Sequence, residues 1–144
     1  MRFTLLLALL AGQLLAQEPN VQQTCPVEVL HAITYDPGPC HPTLYCDGVS
    51  VWFKNKGARV IAGVKFNLIY INKFGESSDP VTLYDDQKLE INASRLRFFK
   101  NMFHPRQGVS VFVEKVAFVD GEIWSDHGSH SCSWKTPEDK ILNR

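Results

Sequence analysis

Arg59-Val60-Ile61-Ala62-Gly63-Val64-Lys65-Phe66-Asn67-Leu68-Ile69-Tyr70-Ile71-Asn72 is the stretch whose reading decides the fold. Val60, Ala62, Val64, Phe66, Leu68 and Tyr70 share one face of an extended chain. Gly63, Lys65 and Asn67, then Ile69 and Ile71, share the other. A period of two with β-branched and aromatic residues on one side marks a half-buried strand. Turn chemistry brackets it, with Asn55-Lys56-Gly57 before and Asn72-Lys73-Phe74-Gly75 after; Ser77-Ser78-Asp79-Pro80 then breaks the chain.

The same period recurs on both sides. Val27, Val29, His31, Ile33 and Tyr35 alternate with Glu28, Leu30, Ala32 and Thr34. Val49, Val51 and Phe53 alternate with Ser50, Trp52 and Lys54. Residues 81–84 form a short edge candidate, and 88–91 and 95–100 are weaker ones. In the last, alternation places Leu96 and Phe98 inside and the arginines outside. Val109, Val111 and Val113 lie on one parity, Val116 and Phe118 on the other, which predicts a β-bulge or a bend in a long strand at Glu114-Lys115. Asp120-Gly121 makes a two-residue hairpin into Glu122-Ile123-Trp124. Outside the first sixteen residues no window of eleven or more keeps a 3.6-residue period. About seven short strands separated by turns predict an all-β chain folded as a single antiparallel sandwich.

The 144 residues are 44% hydrophobic and 21% charged, which is globular and excludes a disordered or collagen-like chain. Fifteen basic and fifteen acidic residues leave no overall field to recruit nucleic acid. Arg2 followed by the apolar run Leu5-Leu6-Leu7-Ala8-Leu9-Leu10-Ala11 reads as a signal peptide over 1–16, cleaved after Ala16. The run is too short to span a bilayer, which needs about 20 apolar residues. The expected location is therefore secreted or periplasmic. Residues 17–24 are a flexible polar segment, 25–134 the sandwich domain, and 135–144 a polar tail.

Export changes the meaning of the four cysteines, Cys25, Cys40, Cys46 and Cys132. An even set in an oxidising compartment predicts two disulfides, and no Cys-x-x-Cys pair points to zinc instead. Three connectivities are open. Placement favours a local staple, Cys40–Cys46, in the proline-rich 35–46 loop, and a long bridge, Cys25–Cys132, joining the two ends of the domain. The same loop is expected to cover part of Trp52.

Cys25-Pro26-Val27-Glu28-Val29, Phe53-Lys54-Asn55-Lys56-Gly57, Ile61 to Phe66, Val116 to Trp124 and Asp126 to Cys132 together resemble small secreted bacterial domains. Those domains are similar in plan to immunoglobulin-like and fibronectin type III-like sandwiches. The resemblance supports the Cys25–Cys132 pairing and implies architecture rather than chemistry: it supplies no catalytic residues. Residues 35–46 look like an addition to that plan.

Three stretches carry candidate chemistry. Asp126, His127 and His130 bring a carboxylate and two imidazoles into one loop, a donor set for zinc or copper. The plainer account is a polar loop whose Cys132 is oxidised. Asp85-Asp86 is read as a solvated turn. Phe99, Met102, Phe103 and Arg106 combine rings, a thioether and a cation, the composition enriched at interfaces. The alternative is that the two phenylalanines plug the end of the core. There is no Gly-x-Ser-x-Gly elbow, no His-Glu-x-x-His and no phosphate-cradling glycine loop. The expected function is a non-catalytic binding or structural module with no cofactor. Its partner would be a protein or an envelope or extracellular component. Metal or small-ligand binding, or hydrolysis, are the alternatives.

Overall fold

The computed structural model describes residues 24–41, 44–100 and 108–137, with the backbone alone at 36–41 and 44–47. The described residues form eight strands: β1 (Val27–His41), β2 (Leu44–Asn55), β3 (Ile61–Ile71), β4 (Val81–Asp85), β5 (Ser94–Lys100), β6 (Gly108–Phe118), β7 (Ile123–Ser125) and β8 (Ser133–Lys135). They make two antiparallel sheets. One has the order β1-β2-β5; the other has β4-β3-β6-β7, with β8 pairing a different part of β6. The sheets pack face to face, so the fold is an antiparallel sandwich. Its core is built from Val49, Val51 and Phe53 on one side and Val64, Phe66, Leu68, Val109, Val111, Val113 and Val116 on the other, all buried. The Phe53 and Phe66 rings meet edge to face across the middle, centroids 5.0 Å apart.

The parity flip in β6 is a bulge at Glu114: Lys65 pairs Lys115 and Phe66 pairs Val113. The extra residue keeps Val113 and Val116 both inside and turns Glu114 outward. There its carboxylate accepts bonds from Lys65 Nζ (2.8 Å) and Asn67 Nδ2 (2.7 Å). The Lys65 bond, reinforced by Asn67, holds the Glu114 carboxyl below its ordinary value against the opposing effect of burial. Asn55 fulfils the turn reading from inside the protein. It is fully buried, donates to the Arg59, Leu89 and Glu90 carbonyls and accepts from the Gly57 amide. Trp124 is buried against the sheet.

Several expectations are corrected. A bulge in β1 between Val29 and His31 reverses the parity read from the sequence. Ala32 faces Val51 inside, while His31 and Ile33 face outward with Trp52 and Ser50. Residues 35–46 are not an irregular loop: β1 runs on to His41 and β2 starts at Leu44, with Gly38 paired to Cys46. A register shift between Ile61 and Gly63 puts Ile61, not Ala62, in the core. The 88–91 stretch contributes a single bridge, Leu89 to Ile61, rather than a strand. In β5 the expected faces are exchanged. Arg95 and Arg97 pair Phe53 and Val51 and point between the sheets, while Leu96 pairs Trp52 and points outward. Finally, β8 includes Lys135, and the Thr136 amide still bonds Val109, so the sheet continues past the expected start of the tail.

Candidate functional site

The outer face of the β1-β2-β5 sheet gathers Leu30, Ile33, Trp52 and Leu96, whereas the other exposed large apolar side chains among the described residues, Phe74, Tyr84, Ile91, Val119 and Ile123, lie elsewhere. Register sets the rows. Glu28, Lys54 and Ser94 lie across one; His31, Trp52 and Leu96 across the next; Ile33, Ser50 and Phe98 across the third; Tyr35, Gly48 and Lys100 across the last. Trp52 is 49% exposed and Leu96 66%, with Ile33 and Leu30 also open to solvent. The Tyr35 and Phe98 rings meet edge to face at 5.7 Å. At the β1 edge the His31 ring stands 5.2 Å from the Trp134 ring of the other sheet. Gly48 permits the close pairing at the far end, because a Cβ there would lie 2.1 Å from the Phe99 carbonyl oxygen. Lys54 and Lys100 flank the apolar rows, and neither forms an ion pair with a described residue. Glu28, the carboxylate on this face, stands 3.7 Å from Lys56. The face is apolar in the middle and cationic at its two ends.

The inner side of β5 carries the opposite chemistry. Asp85, 1% exposed at the end of β4, accepts from Arg95 Nη1 at 2.7 Å. Arg95 also donates to the Gln87 and Lys88 carbonyls. Arg97 is less well served: its Nε lies 3.6 Å from Asp85 Oδ1, and neither atom has a hydrogen-bond partner among the described residues.

The Asp126 loop is a self-contained cap. Asp126 is buried and accepts from the Ser129 and Ser131 hydroxyls and from the His130 and Ser131 amides. Burial pushes its carboxyl up, but those bonds outweigh it and hold the group below its ordinary value. The same bonds fix left-handed backbone at His127 (φ 51°) and His130 (φ 55°). Both imidazoles are exposed, and the His130 ring packs on Phe112 at 4.3 Å. The three residues come together in sequence, but the carboxylate is turned into the loop and spent on it. Among the described residues no group of three or more His, Cys, Asp or Glu side chains is placed to hold a metal.

No protein-family model, curated protein or solved structure matches the chain. The site is therefore read from its own geometry. Cys25 and Cys132 are bonded, with Cα atoms 5.8 Å apart. The Cys40–Cys46 pairing and any cover over Trp52 by residues 36–46 lie outside the described side chains. Met102, Phe103 and Arg106 lie outside the described residues. Phe99 is described: it faces inward, half-buried, its ring 6.4 Å from Phe66. An open depression of about 400 Å³ beside Ala58, Val60, Ile91 and Val119 carries Arg59, whose guanidinium pairs with Asp120 and Glu122 and covers the Phe118 ring at 3.8 Å. Sequence reasoning missed the Trp52–Leu96 face. The signal was present, since Trp52 sits on the parity opposite Val51 and Phe53. Its union with Leu96 depends on register, which alternation within one strand does not specify.

Proposed function

We propose that the protein is an exported, non-catalytic sandwich of immunoglobulin-like or fibronectin type III-like plan that binds a partner protein. The observation that carries the reading is the apolar outer face of the β1-β2-β5 sheet, centred on Trp52 and Leu96 and flanked by Lys54 and Lys100. Large apolar side chains clustered on a solvent-facing sheet mark contact surfaces, and Trp is among the residues that contribute most to binding. The Cys25–Cys132 bond supports export, because such bonds persist in oxidising compartments. The charge balance argues against nucleic acid as the partner.

Two measurements test the reading. Terminal sequencing of the protein recovered from the exported fraction is expected to start at Gln17; recovery of intact Met1 chains in the cytoplasm overturns export. A photo-crosslinking side chain at position 52 is expected to capture a discrete partner band in the native host. One at position 84, exposed on the other sheet, is expected not to. Equal capture at both positions, or none at 52, overturns the binding face.

A further inference from the structure

We infer that the outer edge of β5, unpaired among the described residues, accepts an extended peptide from a partner, added antiparallel as a fourth strand of the β1-β2-β5 sheet. The added strand carries acidic and apolar side chains in a set order. This rests on the binding-module reading and names the chemistry of the partner.

The argument starts from the ladder. β5 ends its sheet, and no described strand pairs its outer side. The Asn55 amide donates to the Ala93 carbonyl, which sets the phase of the β2–β5 ladder. Phe53, Val51 and Val49 then exchange bonds with Arg95, Arg97 and Phe99. In an antiparallel pair the intervening residues turn their main-chain groups the other way. The N–H and C=O groups of Leu96, Phe98 and Lys100 therefore point outward from the edge. Such a row is a template for strand addition, in which main-chain bonds give affinity and alternate side chains give specificity. At the start of the strand the Arg95 side chain turns inward to Asp85 and to the carbonyls of Gln87 and Lys88. The template is the stretch from Leu96 to Lys100.

Register then dictates the guest. A residue opposite Leu96 or Phe98 falls on the outer face, beside those side chains and Trp52, and is apolar. A residue opposite Arg97 falls inside, where a carboxylate would add hydrogen bonds to a partly exposed guanidinium whose contact with Asp85 is a long ion pair, 3.6 Å, and whose Nε makes no hydrogen bond. A residue opposite Phe99 is also inside and apolar. A residue opposite Lys100 is outside and acidic. Read from its own N-terminus, the antiparallel guest is acidic, apolar, apolar, acidic, apolar. An edge strand with an inward cation rejects ordinary apolar strands, since pairing would desolvate the charge. Pairing with the β5 edge of a second copy is rejected for the same reason. Ser94-Arg95-Leu96-Arg97-Phe98-Phe99-Lys100 contains no carboxylate to offer Arg97. The device that guards the edge is also the one that selects the guest.

The test uses the exported chain and a fluorescein-labelled peptide, Thr-Glu-Val-Val-Glu-Val-Thr, read by anisotropy and by the amide spectrum of the ¹⁵N-labelled protein. Saturable binding is expected, with shifts concentrated in Leu96–Lys100. Replacing both glutamates by lysine is expected to weaken binding about tenfold or more, as is N-methylation of the central valine that faces Phe98, because the first removes the ion pair and the second a main-chain bond. Leu96→Pro, which removes an edge donor without touching the β2 ladder, is expected to do the same with an unchanged unfolding midpoint. Arg97→Gln is expected to weaken the acidic peptide but not one whose second glutamate is glutamine. No binding at millimolar peptide, or binding indifferent to N-methylation and to charge, overturns the edge proposal. The capture at position 52 is independent of these peptides, so that result leaves the binding-module reading to stand or fall by its own test.

Discussion

Two buried aspartates show how side chains that look solvated in the sequence are used. Asp126 offers two oxygens to four donors in one loop. Asp126→Ala removes a charged acceptor from four donors on exposed residues that water can still reach, and hydrogen bonds to a charged group are worth about 1.5–3 kcal/mol. We expect the urea midpoint to fall accordingly. Because the Asp126 carboxyl lies below its ordinary value in the folded protein, its stabilisation is complete above the unfolded-chain value, about 3.9. It is lost as pH falls through the lowered folded value. The gap between wild type and Asp126→Ala should therefore hold steady at neutral pH and close in acid; a gap that widens in acid contradicts the assignment. Asp85 belongs with Arg95 and Arg97. Removing one partner of a buried pair costs about 3–5 kcal/mol, so Asp85→Ala is expected to fall in that range. Arg97→Ala, whose contact is long and whose side chain is partly exposed, should cost far less. Equal losses in denaturant titrations would show that Arg97 shares the pair fully. Asp85-Asp86 reads as a solvated turn, yet Asp85 is buried, because a sequence carries no measure of what stands opposite.

At the level of elements, legibility followed the regularity of the strand. β3 and β6 were readable because their apolar runs are long, and the flip at Glu114 announced its own bulge. β1 and β5 were misread for different reasons. The β1 bulge replaces one apolar residue with another, so Leu30 and His31 give no break in pattern to mark where the parity turns. In β5 both faces carry large side chains, and the arginines are drawn inward by a carboxylate from another strand. Hydrophobicity alone assigns that strand backwards. The bulge in β6 offers a direct test. Deleting Glu114 removes the extra residue: Val113 and Val116 then alternate regularly about Lys115 and both stay inward, and the Lys65–Lys115 and Val64–Val116 pairs and the β7 register are kept. What is lost is the bulge and the Glu114 carbonyl that accepts from the Asp126 amide. We expect a sharp transition and a dispersed amide spectrum; loss of cooperative unfolding with binding of a hydrophobic dye would show that Glu114 is not the extra residue or that the bulge itself is required. Glu114→Ala keeps the length and the bulge and loses the partly exposed bonds from Lys65 and Asn67, so it should fold normally.

For the molecule as a whole, two sheets need closing along both sides, and the chain uses different chemistry on each. One side, where β4 and β5 run as edges, is joined by Asp85 and the two arginines. The other, where β1 faces β8, is joined by the Cys25–Cys132 bond and by His31 against Trp134. The bond spans a sequence separation of 107, so it restricts nearly the whole domain when unfolded. In the chain-entropy model a loop of about that length is worth about 4–5 kcal/mol. The clean measurement is the double variant Cys25→Ala, Cys132→Ala, because a reductant would also reach Cys40 and Cys46. Alanine suits the buried Cys132 site, which tolerates no new hydroxyl without a partner. We expect the variant to keep both sheets and to lose about 4 kcal/mol in urea titration. The loss should be uneven. β1 is held to its sheet by β2 and to the other sheet through the bond, whereas β3 and β6 are paired on both sides. Hydrogen exchange in the variant should therefore rise first in β1 and β8 and last in β3 and β6. A uniform rise would mean that the bond acts on the unfolded chain alone, as the entropy model in its strict form requires. An early opening confined to the β1–β8 side would mean that it also clamps the folded sandwich.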